Sequence, residues 1–215
     1  MKTVRRALMA GVAGLAIVLG SPAQDKLEEV AQGFRAYIVA EPRFPADDVR
    51  NRNGKMQDVV TDHGLNPVVA VFARQIPADA ANPLSELVKT QDALAEEYKT
   101  SRLGTFVVFL ALKDEFRKDE SRDARIKEIT QWVSGVMPKR TTIGLAEATE
   151  VPDNQPLVPA QVTAMGIAAE DDIVIVFYDQ YRVIKRWKFK ASGPPGEADL
   201  ADVAKTVTKR LAKKK

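Results

Sequence analysis

The fold is decided by Asn66-Pro67-Val68-Val69-Ala70-Val71-Phe72-Ala73 and by the adjoining stretch Arg74-Gln75-Ile76-Pro77-Ala78-Asp79-Ala80-Ala81-Asn82-Pro83. A continuous apolar run bounded by turn formers predicts a strand buried on both faces of a parallel or mixed sheet. The next loop is rich in Pro and Ala and ends at Asn82, a good N-cap, with Pro83 at the first helical position. Leu84, Leu87, Val88, Leu94, Ala95 and Tyr98 then share one face, which predicts an amphipathic helix over 83–100.

The pattern continues downstream. Thr105–Leu112 (TFVVFLAL) predicts a second buried strand and Asp119 through Val136 a second helix, with Ile126, Ile129, Val133 and Val136 as its stripe. Thr141–Ala146 predicts a short strand, and Glu147–Gln161, with Pro152, Pro156 and Pro159, a loop. Ile173–Tyr178 (IVIVFY) is apolar throughout, and Asp179-Gln180 turns the chain into an antiparallel partner, Tyr181–Lys190. Strict alternation there would place Tyr181, Val183, Trp187 and Phe189 on one face, and Arg182, Arg186, Lys188 and Lys190 on the other. Glu197–Lys213 predicts the last helix, with Leu200, Val203, Ala204, Val207 and Leu211 inward. Upstream, Phe34–Ala40 predicts a first strand, Lys55–Thr61 a short helix, and Gln24–Gly33 a polar lead with a helical turn or two.

The two strand–helix–strand crossovers make parallel neighbours, and the hairpin adds antiparallel strands at one side. The expectation is one α/β domain: a four- to five-stranded mixed sheet with helices on both faces, closed by a C-terminal β-hairpin and helix.

The N-terminus reads as an export segment. Met1–Arg6 is positive, Ala7–Gly20 is uncharged and apolar, and Ser21-Pro22-Ala23 offers small residues before a cut at Gln24. The division is therefore a signal peptide at 1–23, a lead at 24–33 and a domain at 34–215, with a periplasmic or extracellular location after cleavage near Ala23. The general and twin-arginine routes both remain open, because Arg5-Arg6 is a paired arginine. An uncleaved anchor helix is the competing reading.

The 215 residues hold 32 Lys+Arg and 29 Asp+Glu, a formal charge of +3. Three of the bases lie in the first six residues, so residues 24–215 carry 29 of each sign. A globally basic nucleic-acid surface is not expected. The chain has no cysteine, which excludes disulfides, thiol catalysis and thiolate metal sites.

The order of elements resembles the thioredoxin-like superfamily, including its peroxiredoxin branch. Gly54-Lys55-Met56 followed by Asp58-Val59-Val60 is similar to the approach segment of peroxiredoxin-like chains. Asn66–Phe72 is similar to the strand that delivers the active-site loop, and Asp172–Phe189 to the closing hairpin. The resemblance implies a three-layer α/β/α fold. It also implies a thiol pair, CxxC, opening the helix after the delivering strand, and a proline before the hairpin. Neither is present. Counting from Pro77 in the peroxiredoxin pattern, the Thr or Ser place holds Ala81 and the reactive cysteine place holds Leu84. Arg74, Pro77, Ala81 and Leu84 thus form a vestigial active-site loop. Ala169-Glu170-Asp171-Asp172 stand where the proline would be.

Other chemistry has few carriers. His63 is the single histidine, and no HExxH, GxSxG, Walker or GxGxxG motif occurs. A polar loop residue at a helix end is its plain reading. Arg74 could bind an anion or pair locally with Asp79 or Asp92. The acids Asp47-Asp48, Glu96-Glu97, Asp119-Glu120 and Glu170-Asp171-Asp172 lack EF-hand spacing and suit turns and helix starts. Arg74, His63 and Asp171 are the weak candidates for an anion or ligand site; no metal and no cofactor is expected. Trp132 and Trp187 read as packing residues. A basic tail, Lys209, Arg210, Lys213, Lys214 and Lys215, with Lys205 before it, either complements a helix dipole or makes a weak contact with an anionic envelope surface.

The expected function is an exported, non-catalytic thioredoxin-like module that binds an unidentified protein or small ligand. The alternatives are thiol-independent chemistry near Arg74, or an envelope-associated protein held by the basic tail.

Overall fold

The computed structural model describes residues 29–148 and 161–212. Its frame is one seven-stranded sheet. The strands are β1 (Arg35–Ala40), β2 (Met56–Asp58), β3 (Val68–Ala73), β4 (Gly104–Ala111), β5 (Thr142–Glu147), β6 (Ile173–Asp179) and β7 (Arg182–Phe189). The helices are α1 (Pro83–Glu97), α2 (Lys113–Arg117), α3 (Asp119–Val136), α4 (Gln161–Ala164) and α5 (Glu197–Ala212). The strand order is β2-β1-β5-β4-β3-β6-β7. The central pairs β3–β4 and β4–β5 are parallel, and β1, β2, β6 and β7 add antiparallel neighbours.

Seven strands exceed the four or five expected. Met56–Asp58 is a strand against Arg35–Tyr37, where a short helix over Lys55–Thr61 was expected. Three residues show too little alternation to read as a strand, and only pairing with β1 defines it. The lead differs too. Its described part, from Glu29, is extended: Ala31 donates to the Tyr181 carbonyl at 2.6 Å and Val183 to the Glu29 carbonyl at 2.8 Å. The signal-peptide assignment falls on residues outside the described ones.

Two cores flank the sheet. One holds Val69, Val71, Leu84, Leu87, Phe109, Ile129, Trp132, Ile175, Trp187, Val203 and Val207. All three long helices, α1, α3 and α5, therefore cover that face. The reason is topological: β3, β4 and β5 step in one direction, so two right-handed crossovers put α1 and α3 on the same side. The other core holds Phe34, Val60, Val68, Ala70, Phe72, Phe106, Val162, Met165 and Tyr178. Among the described residues its outer layer is thin: α4, a 3-10 turn at Thr61–His63 and loops.

The return strand breaks strict alternation. Phe177 faces Lys185 but Tyr178 faces Val183, so Ile184 is an extra residue in a bulge. Val183 and Tyr181 consequently pack on the second core, while Trp187 and Phe189 pack on the first. The apolar and basic residues of β7 do not divide onto two faces as alternation predicts.

Candidate binding cleft

The parallel strands β3, β4 and β5 end at one rim of the sheet, here the cleft edge, and begin at the far edge. At the cleft edge β3 runs into the loop 74–82, and β6 enters opposite it, with Ile173 paired to Ala73. Between them lies a cleft of about 440 Å³ lined by Gln75, Ile76, Pro77, Ala78, Pro83, Leu84, Asp172, Ile173, Lys190 and Pro194. Its walls are mostly aliphatic and proline rings, with Lys190 as the cation and Asp172 as the carboxylate. Pocket surfaces of this make-up suit the apolar part of a ligand, with a few polar groups to orient it.

Ala81-Asn82-Pro83-Leu84 leads into and opens α1. Ala81 is exposed and Leu84 is buried. The helix start is already spent. The Asn82 Oδ1 accepts from the N–H of Leu84 at 2.8 Å and of Ser85 at 3.4 Å. Glu86 N–H donates to the Asn82 carbonyl at 3.1 Å, and Pro83 has no N–H. No first-turn donor is left to stabilise an anion, although the helix dipole would favour one there. One turn in, Ser85 Oγ accepts from the Trp132 indole at 2.9 Å and ties α1 to α3.

The opposite wall is closed by polar contacts. Arg74 Nε donates to the Asp171 carbonyl at 2.9 Å and Nη2 to the Ala168 carbonyl at 3.0 Å. Arg74 N–H donates to the Asp172 carbonyl at 2.9 Å. The buried Asp171 carboxylate accepts from Ala168 N–H at 2.8 Å and from Lys188 at 2.7 Å. Burial opposes its charge, but Lys188, the Ala168 N–H and Arg74 together hold its carboxyl below the ordinary value. The turn at 168–172 is thus fastened to Arg74, just after β3, and to Lys188 of β7. Arg74 uses these carbonyls rather than Asp79 or Asp92. Asp92 instead accepts from the N–H groups of Lys139, Arg140 and Thr141.

Arg74 and Asp171 are brought together; His63 is not with them. It precedes β3 at the far edge, roughly 20 Å away along a six-residue strand. Its ring stacks on Phe106, 6.0 Å between centroids and 13° between planes. It also lies against Gly104, where any Cβ would collide with the ring. Burial, then the nearby Arg43, push its pKa down to about 3, so it is neutral at ordinary pH.

The basic residues are largely engaged. Arg186 pairs with Glu29 at 2.6 Å, Lys188 with Asp171, and Arg210 with the fully buried Asp179 at 2.8 Å. Arg210 is therefore a clasp between α5 and the β6–β7 hairpin. Lys209 is exposed, and Lys213–Lys215 lie outside the described residues. Among the described residues no group of three His, Asp or Glu side chains could hold a metal ion. No helix among them is long and apolar enough to cross a membrane. Lys190, read from the sequence only as part of a basic strand face, and Pro194, which was not singled out, complete the cleft. They lie far along the chain from loop 74–82, and only the β6–β3 pairing brings them beside it.

This arrangement is a thioredoxin-like fold. Its solved neighbours include a protein described as the thiol:disulfide interchange protein DsbE of Chlorobium tepidum, with a TM-score of 0.52, 13% identity and coverage of 86% of this chain and 96% of that one. Mycobacterium tuberculosis AhpC is similar at a TM-score of 0.53, 8% identity and coverage of 86% and 93%. Mycobacterium bovis AhpC is similar at 0.53, 9% identity and coverage of 86% and 92%. No protein-family model matches the chain, and the search of curated proteins finds no match.

Proposed function

We propose that the protein is an exported binding module: a thioredoxin-like domain that has no thiol chemistry and holds the apolar part of a partner protein or small ligand in the cleft at loop 74–82. One observation carries the reading. The cleft edge keeps an open, aliphatic cleft of about 440 Å³, while the chain has no cysteine and the helix N–H groups are capped from within. A pocket without a nucleophile or a free anion-stabilising donor suits binding better than group transfer. Export rests on the three-part pattern of residues 1–23. The thiol-independent enzyme has less support, because Arg74 is committed to backbone carbonyls and His63 lies at the far edge.

The test is a fluorescence titration with anilinonaphthalene sulfonate, an aromatic anion that offers both an apolar body and a charge for Lys190. The expected result is saturable binding that weakens by about tenfold in Ala78→Trp, whose indole fills the cleft, with an unchanged melting curve. Equal binding by the two proteins would contradict the assignment.

A further inference from the structure

The far edge gathers more exposed apolar side chains than the cleft edge, where Leu112 stands at 66% exposure. The loop after β1, the turn before β3, and the ends of α1, α3 and α5 all meet at the far edge. The side-chain contact between Tyr98 and Thr208, at 3.3 Å, fixes the end of α1 against that of α5. Three large apolar side chains project from this edge into solvent: Val49 at 86% exposure, Met137 at 71% and Leu65 at 65%. Arg102, after the end of α1, and Lys205 and Lys209, in the second half of α5, are exposed and in no described salt bridge. In sequence, Lys213-Lys214-Lys215 come directly after. Several acids of this edge are already neutralised: Asp48 by Arg50, Glu96 by Lys99 and Arg140, and Asp179 by Arg210. Asp47, Asp62 and Glu97 remain exposed, as do Lys55 and Lys139.

Isolated exposed apolar residues need no explanation. Their placement at one edge together with exposed cations does, because residues 24–204 carry 23 bases against 29 acids. Apolar side chains that can enter a headgroup layer, ringed by lysine and arginine, are the chemistry that an anionic lipid surface recognises. We propose that the far edge docks on an anionic phospholipid bilayer, through Leu65, Met137 and Val49 as shallow anchors and Arg102, Lys205 and Lys209 as charge contacts. α1 and α5 both begin at the cleft edge and end at this one. The docked protein therefore presents its cleft away from the membrane, open to a partner. The docking does not depend on what the cleft holds.

The test is co-sedimentation of the full chain with phosphatidylglycerol–phosphatidylcholine vesicles and with phosphatidylcholine vesicles alone. The ratio between the two removes whatever the apolar stretch Ala7–Gly20 contributes. A clear preference for the anionic vesicles is expected, falling on the order of tenfold in Lys205→Gln/Lys209→Gln and disappearing at about 0.5 M salt. Leu65→Ser/Met137→Asn should weaken it severalfold, and Lys113→Gln, at the cleft edge, should leave it intact. Equal partitioning to both vesicles would overturn the proposal. So would equal losses in the Lys113→Gln and far-edge variants, or binding to a soluble polyanion with none to vesicles.

Discussion

At the scale of single residues, His63 shows how packing overrides chemical promise. Its ring is held between Phe106 and the bare backbone of Gly104, and its pKa falls to about 3 from an ordinary 6.5. The sign depends on which state takes the proton. Above pH 6.5 neither state is protonated and the histidine has no effect on the pH dependence. Below 6.5 the unfolded chain binds a proton that the folded chain refuses until about pH 3. Stability is therefore lost as pH falls across that window, by up to about 1.4 kcal/mol per pH unit. His63→Asn should flatten this slope in urea midpoints measured between pH 7 and pH 4, while lowering stability at pH 7 by vacating the space over Phe106. A slope unchanged by the substitution would mean that other groups carry the acid sensitivity. The separation of His63 from Arg74 was already implicit in the spacing, since a whole strand lies between them. The engagement of Arg74 by Asp171 and Ala168 was not, because those residues lie nearly a hundred positions later and meet it only through the β3–β6 pairing.

At the scale of elements, the long apolar or periodic segments were legible and the short ones were not. β3 spans Val68–Ala73 and α3 spans Asp119–Val136, both as read, because burial on two faces and helical periodicity each leave a strong pattern. β2 has three residues and leaves none. The bulge at Ile184 was also hidden, since one inserted residue shifts facing without changing composition. The hairpin beside it holds a testable strain. Gln180 and Tyr181 both sit at positive φ, 54° and 63°, in a tight two-residue turn that favours Asn or Gly. Gln180 is exposed and can be changed freely, whereas Tyr181 packs on the second core. Gln180→Gly should raise stability by about 0.5–1 kcal/mol, read as an upward shift in the urea midpoint. A drop would show that the side chain contributes more than the backbone strain costs.

At the scale of the whole molecule, the chain combines a thioredoxin-like fold with a sequence that has no cysteine. The sheet order, the capped α1 and the hairpin wall are in place around the cleft, with Ala81 exposed and Leu84 buried at the helix start. The charge is uneven along the chain: residues 24–204 carry 23 bases and 29 acids, and residues 205–215 carry six bases and no acid. What the sequence could not convey was the fastening of the turn before β6 by Arg74, Asp171 and Lys188, a contact among three separate segments. The central claim is the proposed one: a thioredoxin-like fold without thiols whose function rests on binding. The direct measurement is dithiothreitol-driven insulin reduction by the native chain and by Ala81→Cys/Leu84→Cys. The native chain should not exceed its own denatured control. The double variant should close a disulfide on oxidation and gain measurable reductase activity, limited by the Asn82 cap that occupies the helix N–H groups. Activity in the native chain, or two thiols in the variant that stay apart under oxidant, would contradict the account.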